Sequence, residues 1–262
     1  MPVKVNRGET VDEHDRELQR AFDGQAARFE AAPVQSDPAA LARLVDFARL
    51  PAGARLIDAG CGPGLVAEAF LESGCTVQGV DLSEEMLARA RRRCARFGAR
   101  AFFQRASIFE VQGTAPFDGA VSRFVLHHVQ DPAAFLRAQA RLVRACGVVI
   151  ACDQVTDPDP AAAAWHLAIE RGRDRTHVAN LSPGALLDAL AAAGLERLEA
   201  MEESFELDFD EWFDRGTPSA PKAEVRERIL SGRARGFDPV RRADGGITLR
   251  CLRLLARGVL PG

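Results

Sequence analysis

From residue 54 onward, short apolar runs alternate with segments of helical periodicity. Runs at 54–59, 76–81, 100–105, 117–123 and 147–153 are predicted strands, and helices are predicted near 64–73, 83–97 and 132–145. Most of these runs are continuously apolar rather than alternating, as expected when both faces of a sheet are covered. Strands separated by helices build parallel β-α-β units with right-handed crossovers. The pattern predicts a doubly wound, mostly parallel α/β sheet of seven strands.

The flanks read differently. Residues 10–31 are predicted helical, with Thr10 and Glu13 as a capping box and Leu18, Phe22, Ala26 and Phe29 on one face. A second helix, roughly 38–49, ends before Pro51. Beyond Asp153 come two helices, "DPDPAAAAWHLAIERGRDRTH" and "SPGALLDALAAAGL", and then a strand, "LERLEAMEESFELDF". A helix at 221–231 and a final strand, "GITLRCLRLLARG", close the chain. The expected organisation is an N-terminal helical cap over 1–50, then an α/β domain over 51–262 with a lid-like insert near 207–245.

Composition narrows the function. The chain has 262 residues, 47% hydrophobic and 27% charged, with a net charge of −3. Nucleic acid is not expected as a partner, because phosphate neutralisation needs a basic face. The one dense basic run, Arg91-Arg92-Arg93, fits the solvated end of a helix, where cations complement the dipole. No apolar segment has the length of a signal peptide or a bilayer span. Six cysteines without a C-x-x-C pair read as reduced, mostly small buried side chains. A cytoplasmic enzyme is the expectation.

The chemistry is carried by "LIDAGCGPGLVAEAF", residues 56–70. An apolar strand ends at Asp58, and Gly60, Gly62 and Gly64 follow at alternate positions before a helix. Glycines there permit positive φ and let a ligand lie against bare backbone. In an open parallel sheet, ligands bind beyond the carboxyl ends of the strands where strand order reverses. A dinucleotide fingerprint, G-x-G-x-x-G, requires glycine at 65, which is Leu65. The acid ahead of the first glycine suits an ammonium better than a pyrophosphate. Asp81 ends the second strand, where a carboxylate can accept hydrogen bonds from both ribose hydroxyls. The expected ligand is a ribonucleoside with a cationic, amino-acid-like tail.

With "LIDAGCGPG", "GVDLSEEMLARAR" and "FDGAVSRFVLHHVQDP", the chain resembles the class I S-adenosylmethionine-dependent methyltransferases, in the branch of the ubiquinone and menaquinone biosynthesis enzymes. "FDGQAARFEAAP" extends the resemblance, which covers about residues 20–153. It implies S-adenosyl-L-methionine as cofactor. Asp58 then lies near the methionine amino group, and Gly60, Cys61, Gly62 and Gly64 run alongside the methionine moiety. Asp81 binds the ribose, Leu82 and Met86 flank the adenine, and Arg123 stands near the methionine tail. Phe22 and Phe29 occupy positions where relatives carry aromatic residues over the cofactor; their spacing also fits core packing. One departure stands out. "FFQRASIFE" has Ala106 where relatives place an acid for the adenine amino group, leaving backbone groups and Ser107, with Ile108 as an apolar wall.

Methyl transfer from a sulfonium is a direct displacement, served by positioning and exclusion of water. A base is needed only where the nucleophile loses a proton. His127 and His128, after strand four, are the candidates for that role or for simple local packing. Neither has a metal-ligand context. His177 is a second cavity candidate, while His14 and His166 read as surface or packing residues. Trp212 and Phe213 either wall a substrate or anchor the insert. The resulting expectation is methyl transfer to an O- or C-nucleophile of a small phenolic, quinone-like or natural-product acceptor. The alternatives are a non-catalytic descendant of the fold and, on a similar fold, a nicotinamide oxidoreductase.

Overall fold

A computed structural model describes residues 13–112 and 116–262. The chain opens with α1 (Glu13–Ala31), α2 (Pro33–Ser36) and α3 (Pro38–Ala48). The Thr10 side of the expected capping box lies outside the described residues. α3 starts where the Asp37 carboxylate accepts the Ala39 N–H, with Pro38 in the first helical position. It stops at Arg49 in the left-handed region.

The alternating part follows: β1 (Arg55–Ala59), α4 (Leu65–Glu72), β2 (Thr76–Asp81), α5 (Glu84–Cys94), β3 (Ala101–Arg105), β4 (Phe117–Arg123), α6 (Pro132–Ala140) and β5 (Val143–Gln154). The remainder comprises α7 (Pro160–Arg173), α8 (Pro183–Ala192), β6 (Glu196–Asp208), α9 (Phe209–Asp214), α10 (Lys222–Ile229), β7 (Phe237–Arg241) and β8 (Ile247–Val259).

The strands form one open sheet in the order β3-β2-β1-β4-β5-β8-β6, with β7 also paired to β8. β1 to β5 are mutually parallel, while β8 runs antiparallel to β5, β6 and β7. Strand order reverses between β1 and β4, so the crevice beyond their carboxyl ends is the topological switch point.

The sheet has eight strands, one more than the pattern predicts. The extra strand, β7, contains Pro239, which cannot donate to a ladder and is tolerated at an edge. In the sequence, "FDPVR" falls within the expected insert at 207–245, where no strand is predicted. α6 also ends earlier and β5 begins earlier than the apolar pattern suggests.

One sheet face is covered by α6 and α8, with Leu136, Leu186 and Leu190 buried against Ile57 and Val149. The other is covered by α3, α4 and α5, with Leu44, Phe70 and Leu87 against Leu56 and Val121. A third core joins α7, α9, α10, β7 and the first half of β8 around Phe209, Trp212, Phe213, Ile229 and Phe237. Phe70 is fully buried, and truncation of such a ring costs about 3–5 kcal/mol. α1 lies outside the sheet and is held to α5. The Ser83 hydroxyl donates to Asp23, and Glu30 pairs with Arg89 and Arg93. Arg93 is therefore a tie rather than a solvated charge: it bridges Glu30 and Glu68, and its Nε donates to the Pro63 carbonyl.

Candidate active site

Two adjoining cavities lie over the carboxyl ends of the strands. The first is lined by residues from the ends of four strands and from α1. Asp58, Gly60, Cys61 and Gly62 form its floor at the end of β1, and Asp81, Leu82, Ser83 and Met86 form the side next to β2. Ala106, Ser107 and Ile108 close it after β3, Arg123 and Val125 after β4, and Phe22 and Phe29 of α1 roof it.

The glycines of the first turn serve three different neighbours. All three have positive φ. A Cβ on Gly60 would come within 2.6 Å of Val125, so the turn is pressed against the loop after β4. A Cβ on Gly64 would come within 2.9 Å of the Ala90 backbone, so this glycine permits α4 to approach α5. Gly64 is not in the cavity wall. Only Gly62 faces open space, with Phe29 as its nearest neighbour at 3.9 Å. Gly60 and Gly62 thus both line the cavity, but only at Gly62 would a side chain enter open space, while Gly64 serves the packing of α4 on α5.

The two acids differ in their partners. Asp81 Oδ2 accepts the Gly62 N–H at 2.8 Å and its Oδ1 accepts the Ser83 N–H at 2.9 Å, which ties the glycine turn to β2. Burial raises its pKa to about 6 against the opposing pull of those hydrogen bonds. Asp58 is fully buried, and its Oδ2 has no hydrogen-bond partner. Burial, together with the nearby charge of Asp81, pushes Asp58 up to about 8; Arg123 and the Ala67 N–H offset only part of this. A buried carboxylate oxygen without a donor is costly, and an ammonium group satisfies it in charge and hydrogen bonding. The floor therefore fits an amino-acid-like cation.

Arg123 is 7% exposed and gives Nη1 and Nη2 to the carbonyls of Gln35 and Val34 at 2.9 Å each, so it fastens α2 over the end of β4. At 106 the chain presents a methyl group and an N–H that donates to the Asp81 carbonyl. Ser107 and Glu110 form a capping box that shapes the following turn.

The second cavity, of about 540 Å³, shares Phe22, Phe29, Gln35, Phe124 and His128 with the first. His127 lines it from the short helical turn Leu126–His128. Its Nδ1 lies 2.6 Å from Asp153 Oδ1 at the end of β5, and Asp153 Oδ2 accepts the Leu126 N–H at 2.6 Å. Burial alone would lower the His127 pKa, but the charge and hydrogen bond of Asp153 outweigh it and leave it raised. His128 lines both cavities, with Nδ1 3.1 Å from the Thr176 carbonyl. Burial, and then the charge of His127, lowers its pKa. The ring of His177 stacks on that of His127 at 5.0 Å.

The C-terminal half completes this cavity with Glu170, Arg173, Asp174, Trp212 and Arg215. Trp212 touches the cavity and the third core, whereas Phe213 belongs to the core alone. His166 is buried between Thr156 and the Phe237 ring, and the His14 ring meets the His128 carbonyl at 2.8 Å. Asp153 escaped the sequence reading, although an acid ending an apolar strand is the same signal that marked Asp58 and Asp81. Glu170, Arg173 and Arg215 carry no such signal, since only tertiary folding brings them together.

A methyltransferase-domain model matches residues 34–200, which is more than half of the chain. The chain belongs to the methyltransferase-domain family. Its cofactor is S-adenosylmethionine, and the nicotinamide alternative loses its support. Among curated relatives, a ubiquinone biosynthesis O-methyltransferase of Thiobacillus denitrificans is 38% identical over 109 residues, 41% of this chain and 47% of that protein. A protein of the same name from Sodalis glossinidius is 31% identical over 173 residues, 63% of this chain and 67% of that one. The chain thus spans about half the length of several curated relatives it matches. Among solved structures, the YcgJ protein of Bacillus subtilis superposes with a TM-score of 0.77 at 22% identity, covering 86% of this chain and 99% of that one. A putative methyltransferase of Bacillus halodurans gives 0.75 at 24% identity, covering 86% and 100%. These likenesses concern the fold. Among the described residues, no helix is long and apolar enough to cross a membrane.

Proposed function

We propose that this enzyme transfers the methyl group of S-adenosylmethionine to a hydroxyl oxygen of a small phenolic or quinol-like acceptor. The acceptor occupies the second cavity, and His127 takes its proton. The observation that carries this reading is the His127–Asp153 pair, opening onto a cavity that shares walls with the cofactor cavity. A phenol is a poor nucleophile until it loses its proton, and an imidazole oriented through its other nitrogen is the usual means of removing it. The O-methyltransferase names of the curated relatives point in the same direction.

The cofactor supplies an activated methyl group on a sulfonium. Asp58 and the Gly62 side of the turn hold its amino-acid end, while Asp81, Met86 and Ile108 hold the nucleoside. Phe22, Phe29 and Phe124 exclude water from the junction of the cavities. Asp153 fixes the His127 tautomer with Nδ1 protonated and Nε2 free to accept.

The test is transfer of labelled methyl from S-adenosylmethionine to a panel of catechols, phenols and hydroquinones, together with calorimetric titration of the cofactor. In His127→Asn, transfer is expected to fall at least a hundredfold while cofactor affinity stays within about twofold. Methylation confined to carbon or nitrogen acceptors, or an undiminished rate in the variant, would refute the assignment.

A further inference from the structure

The far wall of the second cavity holds two guanidinium groups. Arg173 comes from the last turn of α7 and Arg215 from the end of α9, and their charges are close enough to repel: burial, and then Arg173, lowers the Arg215 pKa to about 10. Arg215 is 6% exposed. Cations at helix C-termini ordinarily reach solvent, so the burial of Arg215, beside an Arg173 side chain only 11% exposed, requires another account.

The surroundings brace both groups and give each an acid partner. Arg173 Nε donates to the Trp212 carbonyl at 2.9 Å, and its guanidinium lies over the Trp212 ring. Gly216 makes that path possible, since a Cβ there would come within 2.7 Å of Arg173 Nε. Arg215 donates only Nη1, to Glu211 one turn back on the solvent side, at 3.1 Å. Two acids line the same cavity and make their shorter hydrogen bonds to other groups, while the charge of Glu170 acts on Arg173, Arg215 and His177. Glu170 accepts from Gln154 at 3.1 Å and sits 3.4 Å from the His166 ring, while Asp174 accepts the N–H and hydroxyl of Thr176. Asp174 also forms an ion pair with Arg173 Nη1 at 3.5 Å. Beside them, His177 is 4% exposed, and its Nε2 has no hydrogen-bond partner.

The geometry points to an oxyanion subsite: the methyl acceptor carries a carboxylate or phosphate group, held by Arg173 and Arg215 with His177 Nε2 beside it. Paired guanidinium forks match a planar or tetrahedral oxyanion, and removal from water strengthens the contact. The same cavity carries His127, so the anion anchors one end of the acceptor while the hydroxyl meets the base. This inference rests on the reading of the second cavity as the acceptor site.

The experiment is calorimetric titration of enzyme saturated with S-adenosylhomocysteine, using catechol, 3,4-dihydroxybenzoate and 3,4-dihydroxyphenylphosphonate. The wild type, Arg173→Gln and Arg215→Gln are compared. At least one anionic analogue is expected to bind about tenfold or more tightly than catechol, and its identity names the group. In both variants the ratio is expected to collapse to within about twofold. Equal affinities in the wild type overturn the proposal, as does failure of both anionic analogues to bind. An advantage that survives in both variants also overturns it. Labelled-methyl transfer to catechol is recorded in parallel: transfer without anion preference removes the subsite and leaves the methyltransferase reading standing.

Discussion

Cofactor binding should release a proton, and the structure gives its approximate size. Asp58 has a pKa of about 8, so close to 0.9 of it is protonated at pH 7. The free α-amino group of S-adenosylmethionine, with an ordinary value of about 7.7–8.0, is also mostly protonated there. Formation of a carboxylate–ammonium pair needs only one of these two protons, so about 0.8 proton leaves per cofactor bound at pH 7. Near pH 8 the exchange should pass through zero, and at pH 9 about 0.8 proton should be taken up. The same linkage requires the ligand-free protein to lose stability as pH rises. Asp58 is raised above its unfolded value, so its contribution is complete below about pH 4 and is lost as pH climbs through about 8. The assay is calorimetry in buffers of different ionisation enthalpy, whose slope gives the proton count. Asp58→Asn should abolish the release at pH 7. Zero exchange or net uptake by the wild type at pH 7 would refute the pairing of Asp58 with the cofactor's amino group.

The remaining predictions concern the other groups of the site. Asp153→Asn removes the charge that raises the His127 pKa, so the acidic limb of the kcat/KM profile should move to lower pH by about one to two units, the equivalent of a charged hydrogen bond worth ~1.5–3 kcal/mol. An unmoved limb would show that another group titrates. Asp81→Ala should weaken cofactor binding at least tenfold, about 1.4 kcal/mol, read by titration; an unchanged dissociation constant would remove Asp81 from the ribose site. Gly64→Ala forces a Cβ against Ala90 and should lower unfolding free energy by about 1–3 kcal/mol in denaturant melts. Gly62→Ala should instead show its larger effect on cofactor affinity, and equal effects of the two substitutions on both readouts would contradict the division of labour in the turn.

Legibility differed along the chain for physical reasons. In the N-terminal half, each β-α unit is local: a strand ends, a turn follows, and the residue at the strand end faces the crevice. Asp58 and Asp81 were therefore legible from position, and Met86, Ile108 and Arg123 from the family resemblance; all five line the first cavity. Gly64 was misjudged because spacing cannot tell whether a bare backbone faces ligand or a neighbouring helix; the approach of Ala90 is a tertiary fact. Arg93 was read as solvated because its partners, Glu30 and Glu68, lie on other helices. The second cavity was the least legible. Arg173 ends one helix and Arg215 another, and only the packing of α9 against α7 and β8 brings them to one wall.

Phe22 and Phe29 belong to both cavities, and α1 is clipped to the body at several points: at Ser83, at Arg89 and Arg93, and at Thr217 through Gln25. A wall held in common gives the cofactor site and the proposed acceptor site a physical route of coupling. Whatever factor bound cofactor contributes to the affinity for acceptor, by ordering those rings, acceptor must return to cofactor in equal measure. The product pair is bound by the same rule. Methylated product in the proposed acceptor site shares that wall with S-adenosylhomocysteine, and whatever factor one contributes to the other's affinity is returned in equal measure.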